Sequence, residues 1–310
     1  MDDPPDFGVA PLRRSLDLDG PLDLIGTLRL HWRGSGDPTM RLGRGTAARA
    51  SRTADGPATL EIRLVGADRV EARAWGAGAS AALTGLEALL GLDEDAAGFE
   101  PNRHPLVTRL ARELRGVRLG RTGAVFEALF PAILEQKVTG TEASSAFRGL
   151  VLRYGEPAPG PFRLRLQPAP AVLAGLPYYA FHPFGVEQRR ADVIRRVARD
   201  AARLARLAGG PPAAAAARLQ RYPGIGPWTA AEVAVRAFGD PDAVSIGDFH
   251  LPNLVAWALA GEPRGDDARM LELLEPWRGH RARVVRLLEL SGMVAPRYGP
   301  RLPARDIRRG

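Results

Sequence analysis

The chain has 310 residues, with 43 Lys plus Arg against 35 Asp plus Glu, a formal net charge of +8 and no cysteine. That length allows two or three compact units with real cores, and the missing thiols exclude both a disulfide and a four-cysteine iron-sulfur cluster. The first residues, MDDPPDFG, are acidic and apolar-poor, and no apolar run approaches the roughly 18 residues that cross a bilayer, so no membrane association and a cytoplasmic location are expected.

In chain order, the first 98 residues alternate in a strand-like way. Leu22, Leu24, Gly26, Leu28 and Leu30 share one face, Leu60, Ile62 and Leu64 share another in TLEIRLV (59 to 65), and Val70, Ala72 and Ala74 do the same in RVEARAW (69 to 75). Gly-rich turns separate the runs, and a helix is predicted over about 79 to 90. Residues 1–98 therefore read as a small α+β unit with an antiparallel sheet. It holds no motif that carries chemistry, which suits a scaffold.

From Pro105 onward the pattern turns helical. Helices are predicted over 105–115, 123–138, 140–153, 169–176, 187–208, 213–221, 227–238, 249–260, 266–275 and 279–291. GEPAPGPF (155 to 162) is a loop, and residues 301–310 read as a frayed basic tail. The fold class is α+β, a small antiparallel-sheet domain followed by an all-α region over residues 99–300. Charge is split unevenly: residues 1–98 carry 11 Arg against 15 acids, a net of −4, which leaves +12 on the rest. A basic helical half suits a polyanionic partner, although an Arg-rich composition by itself is weak evidence.

Within that half, LQRYPGIGPWTA (219 to 230) breaks one helix and starts another. Pro223 lacks an N–H and restricts the residue before it, Gly224 and Gly226 supply positive φ, and Pro227 with Thr229 suits a first helical turn. The second helix puts Ala230, Val233, Ala234 and Ala237 on one face and ends at Gly239. A side-chain-free turn leading into a helix N-terminus exposes backbone N–H groups where the helix dipole is positive, a site that grips phosphate. An ordinary corner between helices would also explain a bare PGIG. It would not explain Trp228, Thr229 and the aspartate of VSIGD, Asp248, 22 residues after Gly226.

LQRYPGIGPWTA followed by VSIGD resembles the helix-hairpin-helix (HhH-GPD) DNA glycosylase superfamily, in particular its 3-methyladenine DNA glycosylase II (AlkA-like) family. The similarity runs from about Leu106 to Leu290 and is weaker before it. It implies a hairpin over residues 213–238 whose Gly224, Ile225, Gly226 and Thr229 hold a phosphate of damaged double-stranded DNA. It also implies a structural Na⁺ or K⁺ on the backbone carbonyls of Gln220, Tyr222 and Ile225, with no other cofactor required. A monomer associated with the nucleoid is expected. The absence of cysteine argues against the superfamily's iron-sulfur branches.

The resemblance places Asp248 in a base-excision pocket, where a carboxylate stabilises an oxocarbenium-like sugar and positions water. Asp248 also suits the N-cap of the helix starting near Phe249. Gln136 and Lys137, in AILEQKVTG, match the family segment that fills the gap left by a flipped base. Lys137 stands at the wedge position and is the sole lysine beside 42 arginines. Trp228 occupies the position of the catalytic lysine of bifunctional members, so water is the expected nucleophile and an abasic site the product; Lys137 is the remaining Schiff-base amine.

The base pocket is assigned Trp228, Glu232, Phe249 and Arg286. Glu232 and Arg286 replace family aromatics, where they would put charge beside the base, form a salt bridge with each other, or, for Glu232, pair with Arg236 at i,i+4. The function expected is a monofunctional glycosylase of base excision repair that releases alkylated purines of the 3-methyladenine or 7-methylguanine type. The alternative is a non-catalytic DNA-binding protein with a degenerate pocket.

Overall fold

A computed structural model describes residues 10–296; the expected basic tail lies outside the described residues. Five strands, β1 (Leu12–Asp17), β2 (Met40–Gly43), β3 (Thr46–Thr53), β4 (Gly56–Val65) and β5 (Arg69–Trp75), form one antiparallel sheet in the order β1-β5-β4-β3-β2. The alternation of β4 and β5 was legible because each has one apolar face: Leu60, Ile62, Val70, Ala72 and Ala74 pack in one cluster beneath α2 (Ala79–Thr84) and α3 (Leu86–Leu90). On the opposite face, Ala48 and Ala50 meet Ala158, Leu164 and Leu166, so the Pro/Gly-rich loop folds back onto the sheet, with Phe162 edge-on to Trp75.

The alternating run 22–30 is not a strand. The Asp23 carboxylate accepts the Gly26 N–H at 2.8 Å and caps a short helix, which we label α1 (Leu24–Leu28), followed by a 3₁₀ turn over Arg29–His31. Leu24 and Leu28 satisfy the i,i+4 spacing of a helix as well as the two-residue repeat of a strand, and the cap decides between them.

The remaining chain is helical: α4 (Pro105–Glu113), α5 (Val125–Leu134), α6 (Gly140–Tyr154), α7 (Pro170–Gly175), α8 (Gln188–Arg199), α9 (Ala201–Ala205), α10 (Pro212–Leu219), α11 (Pro227–Val233), α12 (Leu251–Ala260), α13 (Asp267–Leu274) and α14 (Arg281–Leu290). The predicted helix over 187–208 is broken at Asp200 into α8 and α9. α5, α6, α8 and α11 bury Phe130, Ile133, Phe147, Leu150, Ile194 and Val233 in one core, and α4, α12, α13 and α14 close a second around Val107, Val255, Met270 and Leu288. The segment joining α11 to α12 lies between these two cores and carries Asp248.

Polar ties cross from the sheet region to the helices. Arg33 meets Glu135 at 2.7 Å and Arg49 meets Glu127 at 2.7 Å, both pairs largely removed from solvent. The Arg236 Nε donates to the Leu30 carbonyl at 3.1 Å and an Arg286 nitrogen to the Gly26 carbonyl at 2.9 Å. Those two carbonyls belong to the segment that folds as helix rather than strand.

Candidate active site

The turn between α10 and α11 is built by close backbone approach. The Tyr222 N–H donates to the Leu219 carbonyl at 3.0 Å and the Ile225 N–H to the Tyr222 carbonyl at 2.9 Å. Gly224 has φ +94°, and a Cβ there would lie 2.3 Å from the Val193 side chain, so conformation and space both require glycine. Ile225, 4% exposed, pins the turn into the helical core. Gly226 differs from Gly224: its φ is −92°, a Cβ would meet nothing within 4 Å, and α11 starts on it without a side-chain cap. The first N–H groups of α11 are thus left to an external acceptor. α11 continues through a π turn over Ala234–Phe238 and stops at Gly239, φ +67°.

Asp248 is held at three points. Its Oδ2 accepts the Trp228 indole N–H at 2.8 Å, and its Oδ1 accepts the N–H groups of His250 at 2.7 Å and Leu251 at 2.8 Å. Asp248 is not the N-cap of α12, which is His250 without a side-chain bond; it stands two residues earlier, where Oδ1 ties down the N–H groups leading into the helix while Oδ2 faces the hairpin. Oδ2 takes a single N–H bond, which leaves it a lone pair for a further donor.

Gln136 joins the same constellation from the turn after α5. Its amide donates to the Gly224 carbonyl at 3.0 Å and to the Thr229 hydroxyl at 2.9 Å. Thr229 is 2% exposed, so its side chain serves this brace, and the surface of the turn is backbone. Next to the brace, Lys137 stands exposed at φ +55°, one of two non-glycine residues with positive φ among the described residues. Thr139 and Glu142 form a reciprocal capping box for α6 immediately after it, so the α5–α6 turn is fixed on both sides of the lysine.

Glu232 and Arg286 do not pair with each other. Glu232 binds Arg236 one turn along and accepts the Ser245 hydroxyl at 2.5 Å. The Glu232–Arg236 pair is largely buried, not on a solvated face. Burial alone would lower the Arg236 pKa, but Glu232 and Glu135 outweigh it and the net direction is upward. Arg286, 9% exposed, spans Gly26 and Glu289, and burial lowers its pKa. Phe249 is 75% exposed, with its ring edge-on to His250 at 4.9 Å between centroids. Ser245, which fixes Glu232, lies in the VSIGD motif, but nothing in the sequence linked it to Glu232. Arg190 carried no sequence signal; it holds the end of α5 through the Leu134 carbonyl at 2.7 Å.

The structure is similar to a 3-methyladenine DNA-glycosylase from Archaeoglobus fulgidus, with TM-score 0.77 and 18% identity over 89% of this chain and 97% of that one. It is also similar to the apo form of the Clostridium acetobutylicum 8-oxoguanine glycosylase/lyase, with TM-score 0.69 and 12% identity over 91% and 98%. The chain has the helix-hairpin-helix DNA glycosylase fold. In sequence this glycosylase-fold chain is 29% identical over 205 residues to a Mycobacterium tuberculosis protein described as a probable bifunctional transcriptional activator/DNA repair enzyme AlkA. That match covers 62% of this chain but only 39% of the relative. No family model matches the chain. No helix among the described residues is long and apolar enough to cross a membrane.

Proposed function

We propose that this protein is a monofunctional DNA glycosylase that hydrolyses the N-glycosidic bond of flipped-out alkylated purines in double-stranded DNA. The observation that carries the reading is the three-point hold on Asp248 beside the hairpin. A phosphate taken by the Gly224–Gly226 backbone and the start of α11 would fix one strand. The target nucleotide, rotated out of the stack, would then meet the carboxylate at C1′.

Departure of a cationic 3-alkyl or 7-alkyl purine leaves positive charge on the sugar. Asp248 Oδ2, preorganised by Trp228, stabilises that charge and orients the water that attacks C1′. Carboxylate preorganisation of this kind is worth roughly 10²- to 10³-fold in rate. Bond cleavage releases the base, the water oxygen joins C1′, its proton is lost, and an abasic site remains. Trp228 offers no amine, so strand cleavage by Schiff base is not part of the reaction. Gln136 holds the hairpin in register, while Lys137, on its exposed turn, contacts the opened duplex. A monovalent cation on the carbonyls of Gln220, Tyr222 and Ile225 would order the turn without taking part in the step.

The test is release of free base from methylated duplex DNA, identified by mass spectrometry under single-turnover conditions. Asp248→Asn is expected to lower the rate at least about 10²-fold while DNA affinity holds. Tight, salt-sensitive DNA binding with no base released would establish the non-catalytic alternative. A borohydride-trapped adduct lost in Lys137→Ala would replace water by an amine as the nucleophile.

A further inference from the structure

A cavity of about 510 Å³ opens between α8–α9 and α10, and Tyr222 of the hairpin forms part of its wall. Four arginines line it, Arg203, Arg206, Arg218 and Arg221, with one carboxylate, Asp200. That carboxylate lies beside Tyr222, whose hydroxyl pKa burial and then Asp200 push up. Among the described residues none of the four arginines is in an ion pair; the one side-chain hydrogen bond found for them runs from Arg206 to the Ala202 carbonyl at 3.4 Å.

Arginines elsewhere in the fold behave differently, with Arg195 on Asp192, Arg269 on Glu262 and Arg281 on Asp242. The four guanidinium groups are exposed to solvent and carry no carboxylate in ion-pair contact, so an anion entering the cavity would meet no carboxylate paired to them. The planar donor fork of arginine matches a phosphate bidentately. The volume far exceeds that of a water or a halide and lies within the range of small-molecule sites.

The cavity borders the hairpin: Tyr222 forms part of its wall, and Arg196 of α8 donates to the Pro223 carbonyl of the hairpin at 2.6 Å. We infer that the Arg203–Arg206–Arg218–Arg221 cavity is a second phosphate-binding site, separate from the hairpin. Its ligand is either a backbone phosphate of the DNA held at the hairpin or the phosphate of a free nucleotide. The first source rests on the proposed glycosylase function and the second does not.

The experiment compares the full-length protein with the double variant Arg203→Gln/Arg218→Gln, both checked for folding by circular dichroism. In one arm, AMP and inorganic phosphate are titrated by calorimetry at fixed ionic strength. In the other, anisotropy follows binding of a short and a long undamaged duplex between about 50 and 200 mM salt.

A DNA source is expected to reduce the slope of log affinity against log salt by about 0.9 for each phosphate no longer neutralised, on the long duplex only, with single-turnover excision at saturating DNA unchanged. A nucleotide source is expected to show AMP binding to the wild type that the variant loses, at unchanged DNA slope. Identical behaviour of both proteins in both arms overturns the site. Arg221→Gln is the replacement should the double variant not fold. Failure of the wild type to release any base would refute the proposed reaction and leave both binding arms readable.

Discussion

Asp248 ties down the start of α12 through Oδ1 and is the proposed catalytic carboxylate, and a substitution can separate the two. Asparagine caps a helix about as well as aspartate, whereas alanine does not. Asp248→Asn should therefore leave thermal stability near that of the wild type, and Asp248→Ala should cost about 1 kcal/mol in denaturant unfolding. An equal loss in both variants would deny the Oδ1 contacts any energetic role. Trp228→Phe keeps an aromatic ring in the core but removes the N–H that holds Oδ2. It is expected to slow single-turnover base release about 10-fold or more at unchanged DNA affinity, since a misplaced carboxylate loses preorganisation; an unchanged rate would rule out the indole as a positioning group. At this scale the sequence showed the aspartate and the hairpin because both are local patterns. The indole–carboxylate bond was not legible, because it joins side chains 20 positions apart that only tertiary packing brings together.

Among the elements, the hairpin separates two glycines that look alike in sequence. Gly224→Ala would force a side chain into Val193 at positive φ and should destabilise by about 1–3 kcal/mol. Gly226→Ala meets open space, so its melting temperature should hold; on the proposed hairpin–phosphate contact its DNA affinity should fall, because the added methyl group would stand in the path of that phosphate. The contrast is read by paired thermal melts and anisotropy titrations, and a common phenotype would refute it.

Helices α4 to α14 were largely predictable because each repeats its apolar face at helical spacing. The residues 22–30 were not, since Leu24 and Leu28 fit both periods and the deciding contact is one Asp23 side-chain bond. Asp200 interrupted the 187–208 pattern with no proline or glycine to announce it.

For the whole molecule, the junction between sheet and helices is held by charge and hydrogen bonds as much as by apolar packing. His31 sits there with its Nε2 buried and unpartnered. Burial first, and then the charges of Arg49, Arg236, Arg33 and Arg286, hold its pKa well below the ordinary histidine value of 6.5. The imidazole is thus neutral when folded, while the unfolded chain takes up a proton near its ordinary value. The stabilisation is complete above that value and is lost as pH falls below it, by at most about 1.4 kcal/mol per unit. Urea unfolding of His31→Asn should show a flatter acid limb than the wild type; parallel curves would remove His31 from the account.

None of this was legible in the sequence, where His31 and Arg236 are far apart along the chain. The same distance problem shapes the sheet. β1 pairs with β5, its register running from Leu12 opposite Ala74 to Asp17 opposite Arg69. Of the five strands, β1 comes before the other four in the chain yet pairs with the last of them, so its register cannot close until Ala74 has been synthesised. A chain stalled or cleaved before that point exposes an orphan edge to other nascent chains.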